Sequence, residues 1–190
     1  MKIGICTLAL GLLLATPAWA EEVTRTFTGE NGKTTTSTTT INRNRENKSS
    51  DRSTTTTYPN GKTTSTNSTY THTHNGKGNS NYTGTVTHTN RNGETHNHSV
   101  NGQRTRINGT VTKSGTVTGA NGNQGTYNNT RTCNSGECTF NRNTTYPNGK
   151  TRKVNGTATL TDKGNYSGNA TVTGRNGNMR SGSFTRTGVR

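Results

Sequence analysis

Hydrophobic and polar residues alternate with a period of two along much of this chain. Tyr166, Gly168, Ala170 and Val172 fall on one side of an extended segment, and the residues between them are Ser, Asn and Thr. Residues 154–160 repeat the same alternation. Because successive side chains of a strand point to opposite faces, this pattern predicts antiparallel sheet with one thinly apolar face and one hydroxylated face. Thr is β-branched, so it favours strands without supplying a core.

Asn-Gly dipeptides separate these segments and occur ten times, from Asn31-Gly32 to Asn176-Gly177. Both residues tolerate the positive φ angles of tight hairpin turns. Longer segments also recur: residues 58–63 return as 146–151, and residues 82–93 resemble 166–177. The sequence therefore predicts an all-β fold, a degenerate array of short antiparallel hairpins that forms an elongated meander or an irregular solenoid.

The apolar residues are distributed unevenly, which suggests a division of the chain. Between Phe27 and Tyr58 the only apolar residue is Ile41. We therefore expect residues 21–57 to be a largely disordered Thr/Ser/Asn-rich segment and residues 58–190 to form the hairpin repeat region.

The first twenty residues have the features of a secretory signal peptide. A short basic start, Met1-Lys2, precedes an apolar run over residues 3–15 and a small-x-small cleavage site at Ala18-Trp19-Ala20. Cleavage near Ala20 predicts a secreted or periplasmic protein. No second apolar stretch follows, and the mature chain is too polar for strands with a lipid-facing side, so we expect a protein that does not span a membrane.

Composition limits what the mature chain can build. After removal of residues 1–20, Val, Ile, Leu and Phe make up about 8% of the chain, and 22 Lys and Arg face 8 Asp and Glu. This excludes a large globular core and a helical bundle. The same composition is typical of disordered chains, so disorder throughout the chain in water is the alternative reading.

Two cysteines remain after the signal, Cys133 and Cys138, with four residues between them. In an oxidising compartment this spacing predicts a disulfide that closes one hairpin turn and adds modest stability.

All five histidines lie within 27 residues, on the side of each segment that carries apolar residues: His72, His74, His88, His96 and His98. A three-residue loop over residues 91–93 would pair His88 with His96 and place them on one face, whereas a two- or four-residue loop would separate them. With the favourable register, up to five imidazoles could share a patch that binds Zn²⁺, Cu²⁺ or Ni²⁺. The alternative is that they are ordinary polar residues, and the sequence implies no other cofactor.

The basic residues are scattered singly, often at turns such as Lys33, Lys62 and Arg91. A diffuse positive charge outside a cell favours binding to acidic polymers, namely surface polysaccharide, lipopolysaccharide or extracellular DNA. Alternatively, these charges keep exposed strand edges soluble. If edges remain free, self-association through them is also expected.

The sequence contains no pattern typical of an active site. The acidic residues show no paired spacing, and no nucleophile motif or phosphate-binding loop is present, so we expect a non-enzymatic protein. Thr-x-Thr segments such as 157–161 are similar to the hydroxyl rows of ice-binding solenoids, and ice binding is a minor alternative.

The units Asn31-Gly-Lys-Thr-Thr-Thr36 and Asn60-Gly-Lys-Thr-Thr-Ser65 resemble those of uncharacterised secreted bacterial repeat proteins rich in Thr, Asn and Gly. This resemblance implies no activity. The sequence as a whole predicts an exported repeat protein with a structural, cell-surface or matrix-associated role. The alternative is a periplasmic or extracellular binding module that uses the histidines for a divalent metal or the basic turns for an acidic polymer.

Overall fold

The computed structural model describes residues 19–162 and 165–189, and twelve antiparallel strands account for most of them. The strands are β1 (Trp19–Gly29), β2 (Thr34–Asn44), β3 (Ser49–Thr57), β4 (Thr63–His74), β5 (Ser80–Thr89), β6 (Thr95–Ile107), β7 (Thr110–Gly119), β8 (Gln124–Asn134), β9 (Glu137–Thr145), β10 (Thr151–Asp162), β11 (Asn165–Thr173) and β12 (Met179–Val189). The predicted antiparallel all-β class is therefore confirmed. The predicted signal peptide lies outside the described residues as far as residue 18.

The strands form a closed barrel, which corrects the expectation of an open meander or solenoid. Each strand pairs with its neighbours in the chain, and β1 closes the barrel by pairing with β12. In the closing pair, Phe27 lies opposite Phe184 and Val23 lies opposite Gly188. All twelve strands are hydrogen-bonded on both sides, so the expected route of self-association through free edges is absent from the described strands.

Closure also orders the segment that we expected to be disordered. Residues 21–57 form β1, β2 and β3, although they carry few apolar side chains. Each of these strands obtains complete backbone ladders from two neighbours, and β-branched Thr residues suit the extended backbone. Val23 and Thr39 are fully buried, and the Thr39 hydroxyl lies 3.0 Å from the Thr54 hydroxyl. Ladder hydrogen bonds and hydroxyl pairs replace the apolar core that the composition lacks.

Six similar turns form one rim of the barrel, which we call the Asn-Gly rim. They connect β1–β2, β3–β4, β5–β6, β7–β8, β9–β10 and β11–β12, and each contains Asn-Gly with the glycine at positive φ. In the β3–β4 turn, Tyr58 N–H donates to Lys62 O, Gly61 N–H donates to Tyr58 O, and Lys62 N–H donates to the Asn60 side chain. The same backbone pattern recurs in the other five turns, so the turn prediction is confirmed at this rim.

The two halves of the barrel have matching features. The Tyr-Pro-Asn-Gly-Lys turn between β3 and β4 has its counterpart between β9 and β10, and the segment 82–93 has its counterpart at 166–177. In both cases the copies lie six strands apart. The half-barrels β1–β6 and β7–β12 each contain one copy of these segments, and the copies occupy opposite sides of the same barrel.

Register and side-chain contacts show which face of the sheet points inward. Phe140 on β9 contacts Phe184 on β12, with ring centroids 5.7 Å apart, and the hydroxyls of Tyr82 on β5 and Tyr127 on β8 lie 2.6 Å apart. Such contacts between non-neighbouring strands require side chains that converge inside the barrel. We call this the lumenal face. Side-chain hydrogen bonds on the opposite, outer face join neighbouring strands, as between Ser53 and Asn67.

The faces follow the alternation seen in the sequence. The lumenal face carries the Phe and Tyr residues of the strands and all of their Val residues except Val189, and the outer face carries mainly Thr, Ser and Asn. Apolar outer residues such as Ile107 and Met179 lie near strand ends and are exposed. The predicted separation into an apolar and a hydroxylated face is thereby confirmed.

Glycines on the lumenal face accommodate the aromatic rings. A Cβ on Gly156 would clash with the ring of Phe140, and a Cβ on Gly182 would lie 2.8 Å from Cζ of Phe27. Because glycine lacks a Cβ, an aromatic ring can lie flat on the wall and the neighbouring strands can approach closely. Two of the ten Asn-Gly dipeptides, at Gly102 and Gly156, lie within strands for this reason and do not form turns.

The lumen is too wide for its side chains to fill. Twelve strands about 4.8 Å apart and tilted by about 40° enclose a wall roughly 24 Å across between backbones. Strands β9–β12 and β1 also line a cavity of about 720 Å³, and most of the side chains that line it, such as Asn155 and Ser183, belong to the outer face. Among the described residues there is no helix long and apolar enough to cross a membrane.

Candidate functional site

Cationic side chains in the strands lie almost entirely on the lumenal face. Of the twelve Lys and Arg residues in the described strands, eleven have lumenal register and one, Lys153, lies on the outer face. The eleven are Arg25, Arg43, Arg52, Arg104, Arg106, Lys113, Arg131, Arg142, Arg152, Arg180 and Arg186. The basic residues of this site therefore lie in strands, whereas the sequence pattern had pointed to basic residues at turns.

Four of these residues form what we call the central cation cluster: Arg25, Arg52, Lys113 and Arg142. They come from β1, β3, β7 and β9, so they form two pairs on opposite sides of a twelve-stranded ring. Arg52 interacts electrostatically with each of the other three, although β3 and β9 are six strands apart. These side chains therefore extend towards the barrel axis.

The lumen changes the protonation equilibria of the cluster. Burial lowers the pKa of Arg25 to about 10, and repulsion from Arg52 contributes to the shift. Burial also lowers the pKa of Lys113, followed by repulsion from Arg104 and Arg52, and it lowers the pKa of Arg142 in the same way. The side chains of Arg52, Lys113 and Arg142 nevertheless stay accessible to water. They are enclosed by the wall but lie in an open lumen.

Negative charge on the lumenal face is scarce. Among strand residues whose side chains the structure describes, Glu21 is the one lumenal carboxylate. It accepts hydrogen bonds from Arg43 at 2.9 Å and from Arg186 at 3.4 Å. Glu21 is thus engaged by Arg43 and Arg186 near the start of β1, and of the four cluster cations its charge acts on Arg25.

Aromatic side chains line the lumenal wall beside the cations. Tyr70 meets Tyr82 edge to face, with ring centroids 5.9 Å apart, and Tyr82 is only 8% exposed. Burial raises the pKa of the Tyr82 and Tyr127 phenols, whose hydroxyls hydrogen-bond to each other. These rings are packed against the wall. The Tyr70–Tyr82 contact joins the neighbouring strands β4 and β5, and the Tyr82–Tyr127 hydrogen bond links β5 to the more distant β8.

Of the loop lengths that the sequence left open, the structure has the one that pairs His88 with His96. Asn90 N–H donates to Glu94 O, which closes a loop of three residues, 91–93. His88 therefore pairs with His96, and Val86 pairs with His98. All five histidines have lumenal register. They do not form one patch, however, because His72 and His74 lie at the rim opposite to the one that holds the other three.

Each histidine group is held by hydroxyl contacts. His72 Nε2 lies 2.9 Å from Ser50 Oγ, and His88 Nδ1 lies 3.0 Å from Thr66 Oγ1. Within residues 19–162 and 165–189 no group of three or more His, Cys, Asp or Glu side chains could hold a metal ion. The two histidine groups are separated because β4 and β5 run in opposite directions. The β4–β5 turn and the β5–β6 turn therefore lie at opposite rims.

Stability should decrease as the pH falls below the ordinary histidine pKa. Burial lowers the pKa of His72 and His98, with further repulsion from neighbouring histidines. Below about pH 6.5 the unfolded chain therefore binds more protons at these sites than the folded chain does, so stability decreases as the pH decreases. We expect the melting temperature to fall by a few degrees between pH 7.5 and 5.5. The variant His72→Gln/His98→Gln should show a smaller fall, and an identical fall in both proteins would contradict this assignment.

The disulfide is formed as predicted. Cys133 and Cys138 join β8 to β9 at the rim opposite the Asn-Gly rim, with Cα atoms 4.1 Å apart. Cys138 is 5% exposed and lies on the lumenal face next to Ala158. The bridge fixes the register of this hairpin.

Basic residues in turns form a separate feature at the Asn-Gly rim. The guanidinium of Arg91 lies 3.5 Å from the ring centroid of Tyr58, and that of Arg175 lies 4.5 Å from the ring centroid of Tyr146. These equivalent pairs occur in the two half-barrels. Each connects two neighbouring turns, which gives these arginines a structural role.

The sequence contains a signal for the lumenal cations. Arg25 lies two residues before Phe27, and Arg142 and Arg186 lie two residues after Phe140 and Phe184. A period of two places such pairs on the same face. Applied to charged residues, the rule that located the apolar face would have located the cations there as well.

Fold and site together define a closed antiparallel barrel with a cationic lumen and a hydroxylated outer surface. The chain matches no protein family model, and neither the curated proteins nor the solved structures contain a match to it. Functional inference therefore depends on the barrel's own geometry and chemistry.

Proposed function

We propose that this protein is an exported, non-enzymatic barrel that binds an acidic ligand in its lumen. The observation that supports this most strongly is the distribution of strand cations, eleven on the lumenal face and one outside. A need for solubility alone would place charges on the outer face, where water solvates them fully. Cations turned inward require a different explanation.

The central cation cluster supports an anionic ligand on energetic grounds. Four cations that converge from opposite walls repel one another, and their partial removal from water adds a desolvation cost. The carboxylate of Glu21 lies outside the cluster and is bound by Arg43 and Arg186. An anion in the lumen would offset both the repulsion and the lost hydration.

Export and the lack of enzymatic activity are parts of this proposal. The Cys133–Cys138 disulfide suits an oxidising compartment, as the predicted signal peptide does. The engaged state of Glu21 favours a structural role for the one described lumenal carboxylate over acid–base chemistry. We therefore propose binding without turnover.

A structural or surface-associated role is the second candidate, and the outer face favours it. Rows of Thr, Ser and Asn cover the strands outside, as in the pairs Thr87–Asn97 and Thr171–Ser181. Hydroxyl and amide groups of this kind hydrogen-bond to water or to neutral polymers. Ice binding remains a minor proposal, because these rows curve around the barrel and an ice-binding surface must be flat.

Binding to a charged and to a neutral form of one polymer tests the proposed function. We expect the mature protein to bind dextran sulfate and not dextran, as measured by calorimetry at physiological salt. The variant Arg52→Gln/Arg142→Gln removes two charge-assisted contacts and should bind dextran sulfate roughly a hundredfold more weakly.

The matched control is Lys153→Gln, which removes the one strand cation on the outer face. Its affinity for dextran sulfate should equal that of the unmodified protein. If the lumenal and outer variants lose affinity to the same small extent, the charge acts non-specifically and the lumen is not the site.

A further inference from the structure

Arginine predominates inside the barrel and lysine predominates at its turns. Ten of the eleven lumenal cations are Arg, whereas five of the eight cations in the described turns are Lys. If the lumen needed only positive charge, either residue would serve. Arg differs in having a planar fork of N–H donors that matches the two oxygens of a carboxylate, sulfate or phosphate. The preference therefore indicates paired contacts with oxyanions.

The cations are arranged along the length of the barrel. One register row passes from His74, beside the β4–β5 turn, through Arg104, Lys113 and Arg142 to Arg180, beside the Asn-Gly rim. Because strands in a barrel are tilted, such a row spirals from one rim to the other. A single small anion would contact only part of it, whereas a linear anion could contact all of it.

Both ends of the lumen are compatible with an extended ligand. The turns between the described strands contain two to five residues, and none of them is long enough to cross the barrel. At one rim the β4–β5 turn folds against β6, where Arg104 donates to Gly78 O and Arg106 N–H donates to the Asn79 side chain. This turn is therefore held against the lumenal side chains of Arg104 and Arg106 at the edge of the barrel mouth.

Hydroxyl side chains line one part of the lumenal wall. The half-buried hydroxyls of Ser37, Thr56 and Thr66 lie on the side formed by β2–β4. Thr56 donates to Ser37, and the Thr66 hydroxyl lies 3.0 Å from His88 Nδ1. A hydroxyl has one donor and two acceptor lone pairs, so these groups can still hydrogen-bond to sugar hydroxyls. Tyr82 is buried against the wall and its hydroxyl is bound to Tyr127, so its ring offers no free face on which a base could stack.

From the arginine preference, the axial row and the hydroxyl-lined wall, we infer that the lumen binds a linear acidic polysaccharide lengthwise, with its carboxylate or sulfate groups held by paired guanidinium N–H donors. This inference rests on the proposed function, because it assumes an anionic ligand in the lumen. It adds the chemical class of that ligand and the manner in which it is held.

Oligogalacturonates of increasing length, and the same oligomers after methyl esterification, test the inference. Esterification removes the charge and keeps the sugar backbone. We expect binding of the acidic oligomers only, with affinity that rises with oligomer length until the lumen is filled. Affinity that does not depend on length, or equal binding of the esterified oligomers, would overturn the inference.

A charge-conserving variant separates this inference from the proposed function. Arg52→Lys/Arg142→Lys keeps both charges but loses the paired donors, and we expect about tenfold weaker binding of long oligogalacturonates. If Arg52→Gln/Arg142→Gln weakens dextran sulfate binding but the Lys variant binds oligogalacturonate normally, the proposed function stands and the guanidinium inference fails. If neither variant affects binding, both fail. Tighter binding of single-stranded polydeoxythymidylate than of oligogalacturonate would show that the ligand is a nucleic acid.

Discussion

Replacing Gly102 by alanine should lower the melting temperature of the barrel by about 10 °C, which corresponds to about 3 kcal/mol of overpacking. The new Cβ would clash with the Tyr127 hydroxyl and would lie 2.7 Å from the Ser114 carbonyl oxygen and 2.8 Å from Tyr82 Cζ. One of these neighbours is backbone of the adjacent strand, which cannot move without disturbing the ladder. The measurement is thermal unfolding followed by far-UV circular dichroism.

The matched control for this change is Gly174→Ala. Gly174 lies at the Asn-Gly rim, and its nearest neighbour to a new Cβ is the Asn178 carbonyl oxygen at 3.6 Å, which is ordinary van der Waals contact. The melting temperature of the Gly174→Ala variant should stay within a few degrees of that of the unmodified protein. Equal effects of the two substitutions would mean that the close approach of strands and rings at Gly102 does not limit stability.

Removal of charge from the central cation cluster should stabilise the barrel while it weakens ligand binding. In Arg52→Gln/Arg142→Gln the repulsion among the four cations is reduced, and in a water-filled lumen this is worth about 1 kcal/mol or about 3 °C. The unmodified protein should be stabilised further by dextran sulfate, because a ligand that binds only the folded state raises its stability. The variant should show a much smaller stabilisation at the same dextran sulfate concentration.

The cluster variant should gain stability and lose affinity for the ligand, and these opposite changes distinguish a binding site from a structural network. If the arginines served mainly to hold strands together, their removal would lower the melting temperature. Lys153→Gln provides the reference, since it removes one charge from the outer face and should leave both the melting temperature and the response to dextran sulfate unchanged. A less stable cluster variant that still responds to dextran sulfate would contradict the proposed site.

The site illustrates how a chain with few apolar residues can still build a defined interior. Phe27, Phe140 and Phe184 lie on one side of the lumen, packed over lumenal glycines, and hydroxyl pairs such as Thr39–Thr54 lie on the other. Backbone ladders around the whole ring supply the remaining order. Because the interior need not be filled, cations can occupy it at a tolerable cost and remain accessible to water.

Local features of this protein follow from its amino-acid sequence. Alternation with period two predicted the two faces, and the Asn-Gly turns predicted the hairpins, because both depend on residues only a few positions apart. The pairing of His88 with His96 depended on the length of the turn between β5 and β6, which the sequence left open and the structure shows to allow this pairing. Such features are decided by backbone conformation and by short-range hydrogen bonds.

Closure of the barrel was decided only by the tertiary structure. The pairing of β1 with β12 joins residues as far apart as Glu22 and Val189, and it depends on strand tilt, twist and number accumulated over the whole chain. Closure turned the predicted disordered segment 21–57 into three strands, placed the two histidine groups at opposite rims and made the apolar face a lumen. It also brought Arg25, Arg52, Lys113 and Arg142 towards one axis, because only a closed wall makes side chains from distant strands converge.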